Sequence, residues 1–371
     1  MPKKTVDEIK ALIAEGNILA ITMDTSIFDK FGCNLEFKAL TAVEQFKHKD
    51  VQLVLSPVTL GEVRNHIAAA VSEAASKAQA GINQFFKASR ANNKLDEVVK
   101  ALGIDTDPSV IAGEQISAYV DRVGAGEITE QVDSDELLRR YFGVLPPFGK
   151  SSDKKAEFPD AIALLTLEKW AVANDTYLLA VSRDGDWETF AGLSEKLIHV
   201  GELSTALGFF NDQESAIAAR VVSSIKSGSA ANLNKQIQSK LEDYIDGYDV
   251  DVDANAGYYY EYEIYDTSIA GWDFADRADI VVVSANDDEV VVSFDLAVEA
   301  QIDVSFKFSA KDHIDKDYVS LGGADLTGTA EFIVSAVATF AKSIDRDPDL
   351  IDLDIDGRGV AVDFGYVEPD F

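Results

Sequence analysis

Five acidic residues stand where a chain of alternating strands and helices would carry chemistry. Asp24 follows Ile18-Leu19-Ala20-Ile21-Thr22-Met23, a short apolar run with the look of a strand. Glu62 comes just after Leu53-Val54-Leu55, at the start of a helix that Ser56-Pro57 opens. Asp160 falls in the first turn of a helix opening behind Pro159, near the positive end of its dipole. Asp184 and Asp186 flank Gly185 just past Tyr177-Leu178-Leu179-Ala180-Val181, a nearly all-apolar run expected to be a strand buried on both faces. Ligands of open α/β sheets bind outside such strand ends. Crowded carboxylates raise one another's pKa unless a cation neutralises them. A set of oxygens without His or Cys suits Mg²⁺ or Mn²⁺. The chemistry needing such a cluster is in-line attack of water on a phosphodiester, with the metals holding nucleophile and leaving group.

Each acid also has a plainer role. Asp24 could cap a helix, Glu62 and Asp160 suit any helix's first turn, and Asp184 and Asp186 are turn formers. Their order favours the site: strand–Asp, helix–Glu, helix–Asp, strand–Asp-x-Asp, all within one βα region. Ser26, two residues after Asp24, is expected to orient its carboxylate or contact a phosphate, with Thr25 as the alternative. Ser182 could do similar supporting work, and Arg183 could pair with an acid or reach a phosphate. The loop from Pro146 to Lys155 carries Lys150, Lys154 and Lys155 straight into the helix of Asp160, where they could meet substrate phosphates. Ordinary surface lysines are the alternative.

The elements around these residues alternate. A first amphipathic helix carries Val6, Ile9, Leu12 and Ile13, and Leu35 to Lys47 reads as another helix. Thr59 to Arg90, Leu95 to Leu102, Ser109 to Arg122 and Ser134 to Tyr141 read as further helices, with no convincing strand among them. Leu197 to Val200 reads as an edge strand. The alternation predicts an α/β fold with a mostly parallel sheet. Beyond two helical segments, Glu214 to Ile225 and Leu233 to Tyr244, period two takes over. Tyr258 to Ile264, Asp279 to Ser284, Glu289 to Leu296 and Val298 to Phe308 are expected strands. Phe332 to Lys342 fits a helix or a buried strand. Ile351 to Asp356 and Val360 to Phe364 suggest a terminal hairpin. This predicts an α+β domain with an antiparallel sheet at 213–371, after a first domain at 1–212.

Met23-Asp24-Thr25-Ser26, Glu62, Glu157-Phe158-Pro159-Asp160-Ala161 and Ser182-Arg183-Asp184-Gly185-Asp186-Trp187 resemble the ordered acidic motifs of PIN-like domains. Tyr141-Phe142-Gly143-Val144-Leu145-Pro146-Pro147-Phe148, followed by Lys154-Lys155-Ala156-Glu157-Phe158-Pro159-Asp160-Ala161, is similar to a bacterial subgroup of that family. The likeness covers roughly the first 210 residues. It implies a three-layer metal-dependent ribonuclease fold with a large helical insert at about 66–145, capping the site. It also implies an endoribonuclease that uses Mg²⁺ or Mn²⁺ on single-stranded RNA. A structure-specific DNA nuclease and a catalytically weak scaffold holding a protein partner are the alternatives.

Composition limits the remaining choices. The formal net charge is −32, and residues 213–371 carry 33 Asp and Glu against 11 Lys and Arg. Such acidity opposes non-specific binding of polyanions, whose affinity comes largely from cations. A specificity or protein-partner role is expected for this acidic region, including restraint of a nuclease by an acidic mimic. The single Cys33 excludes an intrachain disulfide and suggests a reducing compartment. No run reaches membrane-spanning length, so a cytoplasmic protein without membrane contact is expected. His48, His66, His199 and His313 show neither HxxxH nor HxH spacing, so no zinc site is expected, and Cys33 should be packed rather than reactive. The run Asp352, Asp354, Asp356 alternates with apolar residues as on the wet face of a strand and lacks EF-hand spacing, as does Asp345 to Asp349.

Overall fold

The computed structural model describes residues 4–90, 95–149, 157–211, 216–228, 230–246, 250–286, 288–311, 318–341, 350–357 and 359–370. The chain forms two compact units, Met1–Phe210 and Asn211–Phe371.

In the first unit, helix α1 (Val6–Ala14) starts with Thr5 accepting the Glu8 N–H while Glu8 Oε2 accepts the Thr5 N–H at 2.7 Å. It leads into β1 (Ile18–Met23), α2 (Thr25–Lys30), the short α3 (Lys38–Thr41) and a 3₁₀ segment (Ala42–His48). The single helix expected at 35–47 is thus a short α-helical turn followed by a tighter 3₁₀ segment, with Leu40, Val43 and Phe46 still buried. Strand β2 (Gln52–Leu55) precedes α4 (Pro57–Ser89), a 33-residue helix capped by Ser56 and started by Pro57. Helices α5 (Leu95–Ala101), α6 (Pro108–Val123) and α7 (Ser134–Gly143) follow. Between α6 and α7 lies β3 (Gly126–Glu127), a strand the sequence does not announce. Two residues carry no period, and pairing of Val54 with Gly126 and Leu55 with Glu127 alone defines it. The unit closes with α8 (Phe158–Ala173), β4 (Tyr177–Val181), α9 (Gly185–Ala191), β5 (Leu197–Val200) and α10 (Leu203–Asn211), whose last residue is counted with the second unit.

All five strands are parallel, in the order β3-β2-β1-β4-β5. Ala20, Val54, Leu178 and Ala180 join one core with α8, Trp187 and Phe190. Their neighbours Ile21, Leu53 and Leu179 point to the opposite face and are equally buried. Both faces are therefore covered, as the apolar strands require. The strand order also reverses direction at β1: β2 and β3 lie on one side of it, β4 and β5 on the other. The crevice at the carboxyl ends of β1 and β4 is the topological switch point of the sheet.

The second unit contains α11 (Ala216–Lys226), α12 (Ala231–Asp246) and strands β6 (Val250–Ala256), β7 (Tyr259–Phe274), β8 (Val281–Ala285), β9 (Glu289–Lys311), β10 (Tyr318–Ala341), β11 (Leu350–Gly357) and β12 (Val360–Val367). The antiparallel sheet runs β11-β10-β9-β7, with β8 also paired to β9. The two strands expected at 289–296 and 298–308 are one strand. The same parity of residues stays buried along its length, and that face packs first against α11 and α12 (Val290, Val292, Phe294, Leu296, Val298), then against β6 and β12 (Ile302, Val304, Phe306, Phe308). Phe332 to Ala341 is strand, held by ladders on both sides. The expected terminal hairpin does not form. β11 pairs antiparallel with β10, whereas β12 pairs parallel with β6 in a separate two-stranded sheet. Gly328 permits that layer to settle, since a Cβ there would meet Val362 Cγ2 at 2.6 Å. Among the described residues, no helix is long and apolar enough to cross a membrane.

Candidate active site

Parallel pairing of β1 with β4 puts Met23 opposite Val181, so the residues following each strand emerge side by side. The Asp24 N–H donates to the Val181 carbonyl at 2.9 Å, and Ser182 Oγ donates to Asp24 Oδ2 at 2.9 Å. Asp24 is 5% exposed. It also caps α2, accepting the Ser26 N–H at 3.3 Å. Asp184 does the same for α9, accepting the Asp186 N–H at 2.6 Å. The cap and the site are therefore not competing explanations. The sharp strand-to-helix turn that needs a capping carboxylate is what leaves that carboxylate at the strand end.

Two helices supply the other acids. α8 leads into β4 and runs back along the sheet, so its N-terminus lies at the carboxyl edge. Pro159 stands in its first turn, and Asp160 follows it. The start of α8 is anchored by an aromatic cluster: Tyr141, Phe148 and Phe158 have ring centroids 5.0 to 5.4 Å apart. The Gly149 N–H donates to Glu157 Oε2 at 2.9 Å, tying the preceding loop to the same place. Glu62 lies in the second turn of α4 and accepts a 2.6 Å hydrogen bond from Thr25 Oγ1.

Asp160 reports the electrostatics of the set. Burial, with the charges of Asp24, Asp184 and Glu62 added, pushes its carboxyl up to about 7, against the opposing hydrogen bond from Trp187 Nε1 at 3.0 Å. Burial, Asp184 and Glu157 raise the Asp186 carboxyl as well. The four acids Asp24, Glu62, Asp160 and Asp184 thus meet from α2, α4, α8 and α9, with Asp186 beside Asp184. Among the described residues none of these five carboxylates has an ion pair. They do not close into a group of three with all ligand atoms within 4.8 Å. Mutually repelling carboxylates stand apart in this way. The donor set fits a hard divalent cation: every ligand is oxygen, and neutralising charge is what the cluster lacks.

The remaining expected residues divide. Ser26 Oγ accepts the Arg183 N–H at 3.0 Å and lies 3.4 Å from Ser182 Oγ, bracing the two strand ends. The Arg183 side chain turns to Glu202 Oε1 at 3.2 Å, and Lys30 Nζ reaches Glu202 Oε2 at 3.1 Å. Lys150, Lys154 and Lys155 lie outside the described residues. Trp187, Thr25 and Glu202 gain their roles here. Trp187 carried a signal, as a large residue three after Asp184 in an acidic turn; Glu202, in the turn after β5, carried none.

Residues 21–187 match the family model described as PIN domain. No curated protein and no solved structure matches the chain. The match lies within the N-terminal unit and stops short of the second; PIN domains have a nuclease-type fold, and their members generally use divalent metals.

Proposed function

We propose that the PIN domain is a Mg²⁺- or Mn²⁺-dependent endoribonuclease acting on single-stranded RNA. The observation that carries the reading is the convergence of Asp24, Glu62, Asp160 and Asp184 at the switch point of the sheet, where burial first and the charges of the other three second push the Asp160 carboxyl up to about 7. Four crowded acids weaken a fold unless they serve something. Asp24, Asp160 and Asp184 would hold the metal, with Glu62 and Asp186 completing its surroundings. A bound divalent cation would supply activation of water and neutralisation of the leaving oxygen.

The protein's own groups then have distinct tasks. Asp160 must lose its proton before it can serve as a ligand, so metal affinity, and with it activity at sub-saturating metal, should rise as pH rises towards about 7. Trp187 holds one Asp160 oxygen and fixes which way the other faces. Ser182 and Thr25 do the same for Asp24 and Glu62. Lys150, Lys154 and Lys155 are proposed phosphate contacts of the loop before α8. The acidic second unit is proposed as a module for a protein partner, and the protein as cytoplasmic.

The test is cleavage of labelled single-stranded RNA and DNA by the full chain with Mn²⁺, Mg²⁺ or EDTA, using wild type and Asp160→Asn. RNA cutting that needs metal and disappears in the variant is the expected result. Cutting of DNA alone would replace the substrate. Cutting of neither polymer would overturn the enzyme reading.

A further inference from the structure

Away from the acid set, the packing of α2 and the turn after it on α4 brings His66 to two residues far from it in sequence. Asp29, Cys33 and His66 each offer one ligand atom, and these atoms lie within 4.8 Å of one another. His66 Nδ1 stands 2.7 Å from Asp29 Oδ1, and Cys33 Sγ donates to the same oxygen at 3.4 Å. Among the described residues, no other three His, Cys, Asp or Glu side chains meet so tightly. The group sits one helical turn from the acids. Thr25 and Asp29 are four apart along one helix, Glu62 and His66 four apart on the other. Thr25–Glu62 and Asp29–His66 therefore form successive rungs between the same two helices.

The backbone at Cys33 is unusual. Its φ is 56°, directly after Gly32 at 57°. A side chain in that left-handed region costs on the order of 1 kcal/mol, which a second glycine would avoid. What the position gains is a buried thiol directed at Asp29. Asp29 and His66 keep part of their side chains in solvent, so the point where the three meet is accessible.

We propose that Asp29, Cys33 and His66 form a second cation site, selective for Zn²⁺ or a similar transition metal. Thiolate and imidazole favour such ions, whereas the neighbouring all-oxygen set favours Mg²⁺ or Mn²⁺. Tetrahedral zinc places N, O and S donors about 3.3–3.8 Å apart, so the Cys33–Asp29 distance of 3.4 Å already fits and the Asp29–His66 pair at 2.7 Å would open by about 0.6 Å or more. Three protein ligands leave a fourth position for water or another ligand. On binding, the thiol proton goes to solvent, neutral His66 presents Nδ1 to the ion and carries its ring proton on Nε2, and no oxidation state changes. The bound ion would clamp α2 to α4 one turn from Thr25 and Glu62.

Titration of the EDTA-stripped full chain with Co²⁺ tests this without reference to cleavage, so it stands or falls apart from the nuclease reading. The expected result is a thiolate-to-cobalt charge-transfer absorption that saturates at one equivalent and is displaced by Zn²⁺. Cys33→Ser should abolish it, His66→Ala should weaken Co²⁺ affinity by about 100-fold or more, and Asp160→Asn should leave it intact. Cys33→Gly keeps the left-handed backbone without strain, so it should melt as a folded protein and still give no band. Absence of the band in wild type, or its survival in the Cys33 variants, overturns the proposal. The Asp29–His66 contact would then be only a hydrogen bond between two helices.

Discussion

The N-terminal unit turns a few carboxylates towards one another at the ends of its strands, whereas the C-terminal unit spreads many along the length of its own. In the first, Asp24 is buried and Asp160 feels the charges of Asp24, Asp184 and Glu62. In the second, acids find ordinary cross-strand company: Asp303 accepts from Thr327, Asp295 accepts from Ser335 at 2.7 Å, and Glu263 pairs with Lys307 at 3.3 Å. Cross-strand pairs of this kind are worth a few tenths to about 1 kcal/mol each. The count of acids is therefore a poor guide to a site. Parallel strands deliver their following residues to one edge, where charges must face each other; a long antiparallel hairpin sends every second side chain to water.

This contrast can be broken at several points, and the largest effect should come from the converging acids. Asp24→Asn, Asp160→Asn or Asp184→Asn should each lower metal-dependent RNA cleavage by about 100- to 1,000-fold, a loss of the size seen when one charged contact to a transition state is removed. Circular dichroism should show the fold retained.

The next effect is on stability. Asp160 has a folded-state pKa of about 7 against an ordinary 3.8. The folded state holds this proton more tightly, so between pH 4 and 7 the unfolded chain ionises first and the metal-free protein loses stability as pH rises. Asp160→Asn removes that loss. In EDTA at pH 8 urea melts should find the variant more stable than wild type by about 2 kcal/mol, roughly half the full linkage value because the group is only half-buried. Near pH 4 the difference should vanish, and Mn²⁺ at pH 8 should reverse it.

A smaller change is expected at Trp187. Its indole N–H lowers the Asp160 pKa, so Trp187→Phe should move the acid limb of the cleavage profile to higher pH by up to about one unit, near tenfold in rate on that limb. An unmoved limb with a uniformly lower rate would mean that the indole only packs. The smallest effect belongs to the second unit. Asp352→Asn, on an exposed strand position, should change stability by less than about 0.5 kcal/mol and leave cleavage within twofold.

Much of the first unit was legible because its signals are local. Apolar runs of four to six residues, Pro57 and Pro159 at helix starts, and carboxylates directly after strands all act through nearest neighbours. The second unit was less legible where pairing is non-local. Most of the 23 residues of β9 alternate, yet only the two layers stacked along one face reveal a single strand. Ile351 and Val360 lie close in sequence with Gly357 and Gly359 between them, which is the look of a hairpin. The buried face of β10 and the edge of β6 drew the two segments into different sheets.

By itself the sequence determined the parallel α/β character of the first unit, the positions of Asp24, Glu62, Asp160, Asp184 and Asp186 at element ends, and the excess of charge in the second. Those properties follow from side-chain period, capping chemistry and composition, none of which needs a partner distant in the chain. Only the tertiary structure decided that Trp187 holds Asp160, that Arg183 is drawn to Glu202, and that His66 meets Asp29 and Cys33 across two helices. The histidines show no ligand spacing because the residues that meet His66 lie 33 and 37 positions away. Contacts of that kind depend on how α2 and α4 cross, and no periodicity along the chain encodes a crossing.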